Sequence, residues 1–84
     1  MRKKGKIMIN LSKCKENDIV EIVQVGGSGI LKKRLLEMRF MRGAKLKIIK
    51  YAPLMDPMEV SLGDSHISLR LKEAALIDVK KIPE

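Results

Sequence analysis

Aromatic side chains are nearly missing from this chain of 84 residues: it has no tryptophan, and Phe40 and Tyr51 are the whole complement. The core must therefore be aliphatic, filled by Ile, Leu, Val and Met. Small barrels that bind single-stranded nucleic acid usually display rings for base stacking, and two are too few. Charge alone still supports weak, salt-sensitive contact with a polyanion, so a nucleic-acid-binding small β-barrel remains the alternative reading. Cysteine is scarce too: Cys14 stands alone, which excludes an intramolecular disulfide and fits a reducing, cytoplasmic setting. With one histidine, His66, and no repeated Asp/Glu spacing, the chain has no visible cluster of titratable groups for catalysis. Cys14 reads as a semi-buried structural residue. His66 reads as an ordinary surface histidine, with a weak exposed metal site as the alternative. Long apolar runs are missing as well. The basic start, "MRKKGKIMINLSK", lacks a signal-peptide core, and nothing approaches the ~20 apolar residues of a membrane-spanning helix.

Basic charge, in contrast, is plentiful. The formal net charge is +8, and it is unevenly placed. Arg2, Lys3, Lys4 and Lys6 load the start; Lys32, Lys33, Arg34, Arg39, Arg42, Lys45, Lys47 and Lys50 load the middle against a lone acid there, Glu37. Such a patch suits an acidic protein surface, an anionic membrane face or nucleic acid; the simpler reading is a solvated surface that keeps a small protein soluble. Apolar residues make up 45% of the sequence, enough for one small core and too many for a disordered tail. The expectation is a flexible basic leader over residues 1–8 and a single domain over 9–84.

Along the chain, Leu11 reads as a plug against the core and Asn17-Asp18 as a turn. Ile19–Val25 is β-branched and predicts a strand. "GGSG" breaks it, Ser28 is placed to cap the next segment, and Leu31, Leu35 and Met38 then fall on one helical face, with Lys32, Lys33, Arg34 and Arg39 largely elsewhere. Four period-2 segments follow: "AKLKIIKY", "PMEVSL", "SHISLRL" and "ALIDVKKI". In the third, Ile67, Leu69 and Leu71 oppose His66, Ser68 and Arg70; in the last, Ala75, Ile77 and Val79 share a face. Gly63-Asp64 is a tight-turn dipeptide, and "KEA" predicts a brief helical turn. The sum is a mainly β fold of about five strands, with one short α-helix between the first and second strands and a one-turn helix before the last. Short strands with one polar face each favour a small SH3-like barrel, which hides their apolar sides and reduces exposed edges.

Two motifs suggest more chemistry than they carry. "GGSG" before a helix suggests a phosphate loop, yet neither the G-x-x-x-x-G-K-[ST] nor the G-x-G-x-x-G pattern is present; Gly26, Gly27 and Gly29 instead let the chain reverse sharply. In "YAPLMDPMEV", Met55 and Met58 suggest a soft-metal site, but they have no Cys or His partner nearby, and alternation separates them. Met58 falls on the inward face with Val60 and Leu62, while Met55 sits in the loop. Pro53 and Pro57 stiffen that loop, and Asp56 is placed to bond the turn's own backbone. The tip, Leu54-Met55, is apolar and expected to be exposed.

The order of these pieces resembles the FeoA family, the small cytosolic ferrous iron transport protein A. The Gly-rich loop Gly26–Gly29, Arg34-Leu35 with Met38, Gly43, the "APLMDPME" hairpin (Ala52–Glu59) and the "ISLRLKEA" close (Ile67–Ala74) follow the family's pattern over about residues 9–82. The resemblance implies an SH3-like barrel, no enzymatic activity, no cofactor and no firm metal site. It also implies a cytoplasmic role beside the ferrous iron transporter FeoB, a membrane protein with a cytosolic GTPase domain. Two departures stand out. Family members commonly have Gly after the helix Met, where this chain has Arg39, and often Pro before Gly43, where it has Arg42. The expected partner surface is Lys32, Lys33, Arg34, Arg39 and Arg42 with the hairpin tip Leu54 and Met55. Exposed strand edges leave weak homo-oligomer formation open.

Overall fold

Strand β2, Ile19–Val25, forms over the β-branched run that predicts it, and a computed structural model describing residues 8–83 places it near the middle of one antiparallel sheet. The other strands are β1 Ile9–Asn10, β3 Lys45–Tyr51, β4 Met58–Leu62, β5 Ser65–Leu69 and β6 Ile77–Lys81. Helix α1 spans Gly29–Glu37 between β2 and β3, α2 spans Leu71–Ala74 before β6, and Leu11–Lys13 makes a 3-10 turn. The sheet order is β1-β6-β2-β3-β4-β5. Among the described residues the strands thus number six rather than about five. The extra one, β1, is two residues long and too short to show a period. Of the expected leader over residues 1–8, all but Met8 lies outside the described residues.

Register follows the hydrophobic pattern, since a slip by one residue would turn every apolar side chain outward. Val20 faces Leu46, Ile22 faces Val79, Ile48 faces Val60 and Met58 faces Leu69; all eight are buried. Two irregularities interrupt the ladders, at Val23 in β2 and Ile49 in β3. An extra residue of this kind bends its strand and increases its twist, which curls the sheet over its buried face. No ladder joins β5 to β1 among the described residues. Across that seam α2 packs against the 3-10 turn, and Leu11 is fully buried beneath it as the sequence predicts. Asn10 fastens the same corner: its Nδ2 donates to the Ala75 carbonyl at 2.8 Å and to Asp78 Oδ1 at 3.3 Å.

Several local details differ from expectation. Ser28 holds the N-cap position of α1 in extended conformation, but its side chain makes no capping hydrogen bond. Ala75 ends α2 and is exposed instead of sharing the buried face of Ile77 and Val79. Asp56 does not bond its own turn: its Oδ1 accepts from the Leu71 N–H at 3.1 Å and so ties the hairpin to the start of α2. The turn's backbone closes itself, with Ala52 N donating to the Pro57 carbonyl at 2.9 Å and Met55 N to the Ala52 carbonyl at 2.7 Å.

The exit of α1 settles how the chain accommodates Arg39. Phe40 N donates to the Leu35 carbonyl and Arg39 N to the Leu36 carbonyl, both at 3.0 Å, the paired bonds of a Schellman ending. That ending requires a left-handed residue at Arg39, and its φ is +73°. Phe40 and Leu35, the two residues that such an ending brings together, are both fully buried. The helix therefore ends as a glycine would have it, with an arginine in the glycine's place. Arg39→Gly is expected to raise stability by about 1 kcal/mol, read as a higher urea midpoint with an unchanged slope.

Candidate functional site

The residues singled out by charge and exposure fall into three places. Lys32 and Lys33 lie on the outer side of α1, where with Gly29, Leu36 and Glu37 they border a shallow depression. Leu36 and Ile30 on the same helix are exposed, Ile30 to 83%, so the basic face carries apolar contact points that periodicity had not marked. Arg34 is exposed on the helix as well. Arg39 and Arg42 come together in a second, larger groove, with Met41, Leu62, Gly63 and Ser65 beside them. Leu54 and Met55 form the hairpin tip and line neither depression. Leu54 is 89% and Met55 54% exposed, while Met58 is fully buried, which assigns the two methionines of this hairpin to solvent and core respectively.

The helix is positioned by the glycine loop. Gly27 and Gly29 take φ of +78° and +72°, which side chains with a Cβ resist. Gly26 N donates to the Leu76 carbonyl at 2.6 Å, and a Cβ on Gly27 would meet the Leu76 side chain at 3.1 Å. These glycines serve a sharp reversal against the residue preceding β6. At its other end, the Schellman exit and the Met41–Ala44 turn return the chain to β3. Gly43 N donates to the Ile22 carbonyl at 2.8 Å. Arg39 and Arg42 are thus held by backbone bonds, not by loose loops.

Among the described residues the basic side chains of α1 and its exit enter no ion pair. Such pairs are Lys80–Glu21 at 3.9 Å and Lys81–Asp18 at 3.5 Å, which join β6 to β2 and to the residue before it. The positive groups of α1 and its exit therefore face outward with their charge available.

Cys14 is 3% exposed. Burial pushes its thiol up to about 11, with the Asp18 carboxylate acting in the same direction and Lys81 against it. Its Sγ sits 3.8 Å from the Asn10 carbonyl as donor. A thiol held protonated at neutral pH is a poor nucleophile and a poor metal ligand. Tyr51 donates its hydroxyl to the Cys14 carbonyl, and burial raises its pKa as well. His66 is exposed on β5. Among the described residues no group of three or more His, Cys, Asp or Glu side chains is placed to hold a metal ion, and no helix is long and apolar enough to cross a membrane.

Sequence reasoning missed the partners of Arg39 and Arg42 in their groove. Met41 and Leu62 are separated by twenty-one positions, and only the closing of β4 and β5 beneath the exit of α1 makes them neighbours. The Gly63-Asp64 turn was legible; what lies above it was not.

Comparison with known proteins accords with this arrangement. Residues 9–81 match the FeoA domain family. A fusion protein of Fe(2+) transport protein A and Fe(2+) transporter FeoB from Porphyromonas gingivalis is 39% identical over 74 residues, 88% of this chain. The chain spans only 9% of the length of that relative. The solution structure of FeoA from Chlorobium tepidum is 35% identical and superposes with a TM-score of 0.82, covering 89% of this chain and 71% of that one. A zinc-complexed FeoA from Stenotrophomonas maltophilia, described as an SH3 domain protein, is 23% identical with a TM-score of 0.75 over 84% of this chain and 88% of that one; it supports the SH3-like fold alone. Matched along all but its ends, and sharing that fold, the chain belongs to the FeoA family.

Proposed function

We propose that this protein is a non-enzymatic, cytoplasmic accessory of ferrous iron uptake that docks on the cytosolic GTPase region of a FeoB-type transporter and modulates it. The observation that carries this reading is the relative in which a FeoA-like segment and FeoB are one chain. Fusion keeps two parts at high effective concentration, which is useful where they act on each other. The surface agrees in kind. Lys32, Lys33 and Arg34 stand beside the exposed Ile30 and Leu36, and Leu54 and Met55 offer an apolar knob. The anionic inner leaflet close to a membrane partner suits the positive charge as well. The rival, a nucleic-acid binder, draws less support: Phe40 is fully buried, and Tyr51 is half-buried against the core with its hydroxyl on the Cys14 carbonyl, so no cluster of exposed rings is offered for stacking.

Titrating the purified FeoB cytosolic domain into the protein tests this, with and without guanine nucleotide. Saturable binding is expected. Lys32→Glu with Lys33→Glu should weaken it about tenfold, roughly 1.4 kcal/mol, chiefly through a slower on-rate at low salt. No binding by the wild type removes the partner; undiminished binding by the double variant removes the helix face. Nanomolar binding of single-stranded RNA that survives added salt would favour the rival.

A further inference from the structure

The groove at the exit of α1 is built unlike the rest of the basic surface. Arg39, Met41, Arg42, Leu62, Gly63 and Ser65 line it, and no acidic residue does. Neither arginine enters an ion pair among the described residues. Arg39 keeps its place at φ +73°, where a glycine would relieve the strain. The chain thus holds a costly backbone conformation at a residue whose side chain borders the groove, and such outliers gather at sites that bind. Beside the two arginines the lining is apolar, with Met41 45% exposed and Leu62 half-buried.

We propose that this groove takes an acidic peptide segment of a partner protein, with a carboxylate on Arg39 and Arg42 and a neighbouring apolar side chain on Met41 and Leu62. This deepens the docking reading above and rests on it for the kind of partner. Charge complementarity selects the occupant: a guanidinium fork matches a carboxylate through two parallel hydrogen bonds. Inorganic phosphate would satisfy the arginines but leave Met41 and Leu62 uncovered. A peptide that alternates acidic and apolar side chains fills both parts. Ser65 at the rim, with its hydroxyl, and the Gly63 turn leave room for the peptide backbone to approach.

The test is a titration of the isotope-labelled full chain, followed by amide resonances, with a synthetic peptide of alternating Glu and Leu and, separately, with inorganic phosphate. Saturable shifts at Met41, Gly63 and Ser65 are expected with the peptide. Arg39→Gly combined with Arg42→Ser should weaken them about tenfold or more, with no fall in the unfolding midpoint, because the first substitution relieves strain. Shifts that spread without saturation over the lysines of α1 and β3 would overturn the proposal, as would equal response to phosphate or equal binding by the double variant. The FeoB domain separates the two readings. If it binds wild type and double variant alike, the groove proposal falls and the docking function stands. If it does not bind while the peptide fills the groove, the choice of partner falls and the groove stands.

Discussion

Phe40→Ala is expected to destabilise the protein by about 3–5 kcal/mol, a large share of the ~4–13 kcal/mol that a domain of this size has. Phe40 is the largest fully buried side chain, and it is the only ring in the core. Its position compounds the loss. As the residue after the left-handed Arg39, it donates its N–H to the Leu35 carbonyl and is buried along with Leu35 at the helix exit. Truncation would leave a ring-sized cavity at the point where α1 turns back to the sheet, and aliphatic neighbours fixed in strands have little freedom to collapse into it. Phe40→Leu retains most of the volume and should cost about 1 kcal/mol. Equilibrium unfolding in urea measures both. A loss under about 1 kcal/mol for the alanine variant would place this ring outside the core and undo the account of the helix exit.

Alkaline pH provides the second large effect. The Cys14 thiol ionises in the folded protein at about 11, against an ordinary value of 9.0. Below pH 9 both folded and unfolded chains hold the proton, and the thiol costs nothing. Between pH 9 and 11 the unfolded chain releases it while the folded chain does not, so the unfolded state is favoured and stability falls as pH rises. Over the full window the loss from this group is on the order of 2 kcal/mol. The raised pKa of Tyr51 acts in the same direction. Because stability at high pH has other contributions, the informative measurement is a difference. Denaturation midpoints of wild type and Cys14→Ala, followed from pH 8 to 11, should diverge, with wild type falling more steeply. Parallel curves would mean that the thiol is not held protonated by burial.

The elements that the sequence made legible are those with a long period. Ile19–Val25, the α1 stripe through Leu35 and the alternating sets Met58, Val60, Leu62 and Ile67, Leu69, Leu71 declare themselves because each repeats its pattern over several residues, although only Met58, Val60 and Leu69 of the six are fully buried. β1 was not legible, since two residues carry no period. Nor were Val23 and Ile49, whose irregular places in β2 and β3 depend on partner strands. Asp56 illustrates a different limit: a local rule sends its carboxylate into its own turn, but the N-terminus of α2, fifteen residues on, offers a competing donor at Leu71. For the candidate surface, composition revealed the positive charge and the hairpin tip. It could not reveal that Arg39 and Arg42 share a groove, because Leu62, Gly63 and Ser65 reach them only through the fold. That Arg39 stands where the family commonly has glycine was legible, but not whether the helix would end differently there; the structure keeps the left-handed ending, at φ +73°.

The pairing of β1 with β6 has a consequence for how such a domain is tethered. Ile9 lies opposite Val79 and the strands run antiparallel, so the chain enters and leaves the sheet side by side, about one strand spacing (~5 Å) apart. A linker attached at either end would depart from the same corner and present the same remaining faces outward. Swapping the order of two fused domains would then change the path of the connection but hardly the orientation it allows. By the same geometry, joining the two ends and reopening the chain at the exposed Leu54-Met55 tip should give a permuted protein with the sheet order intact.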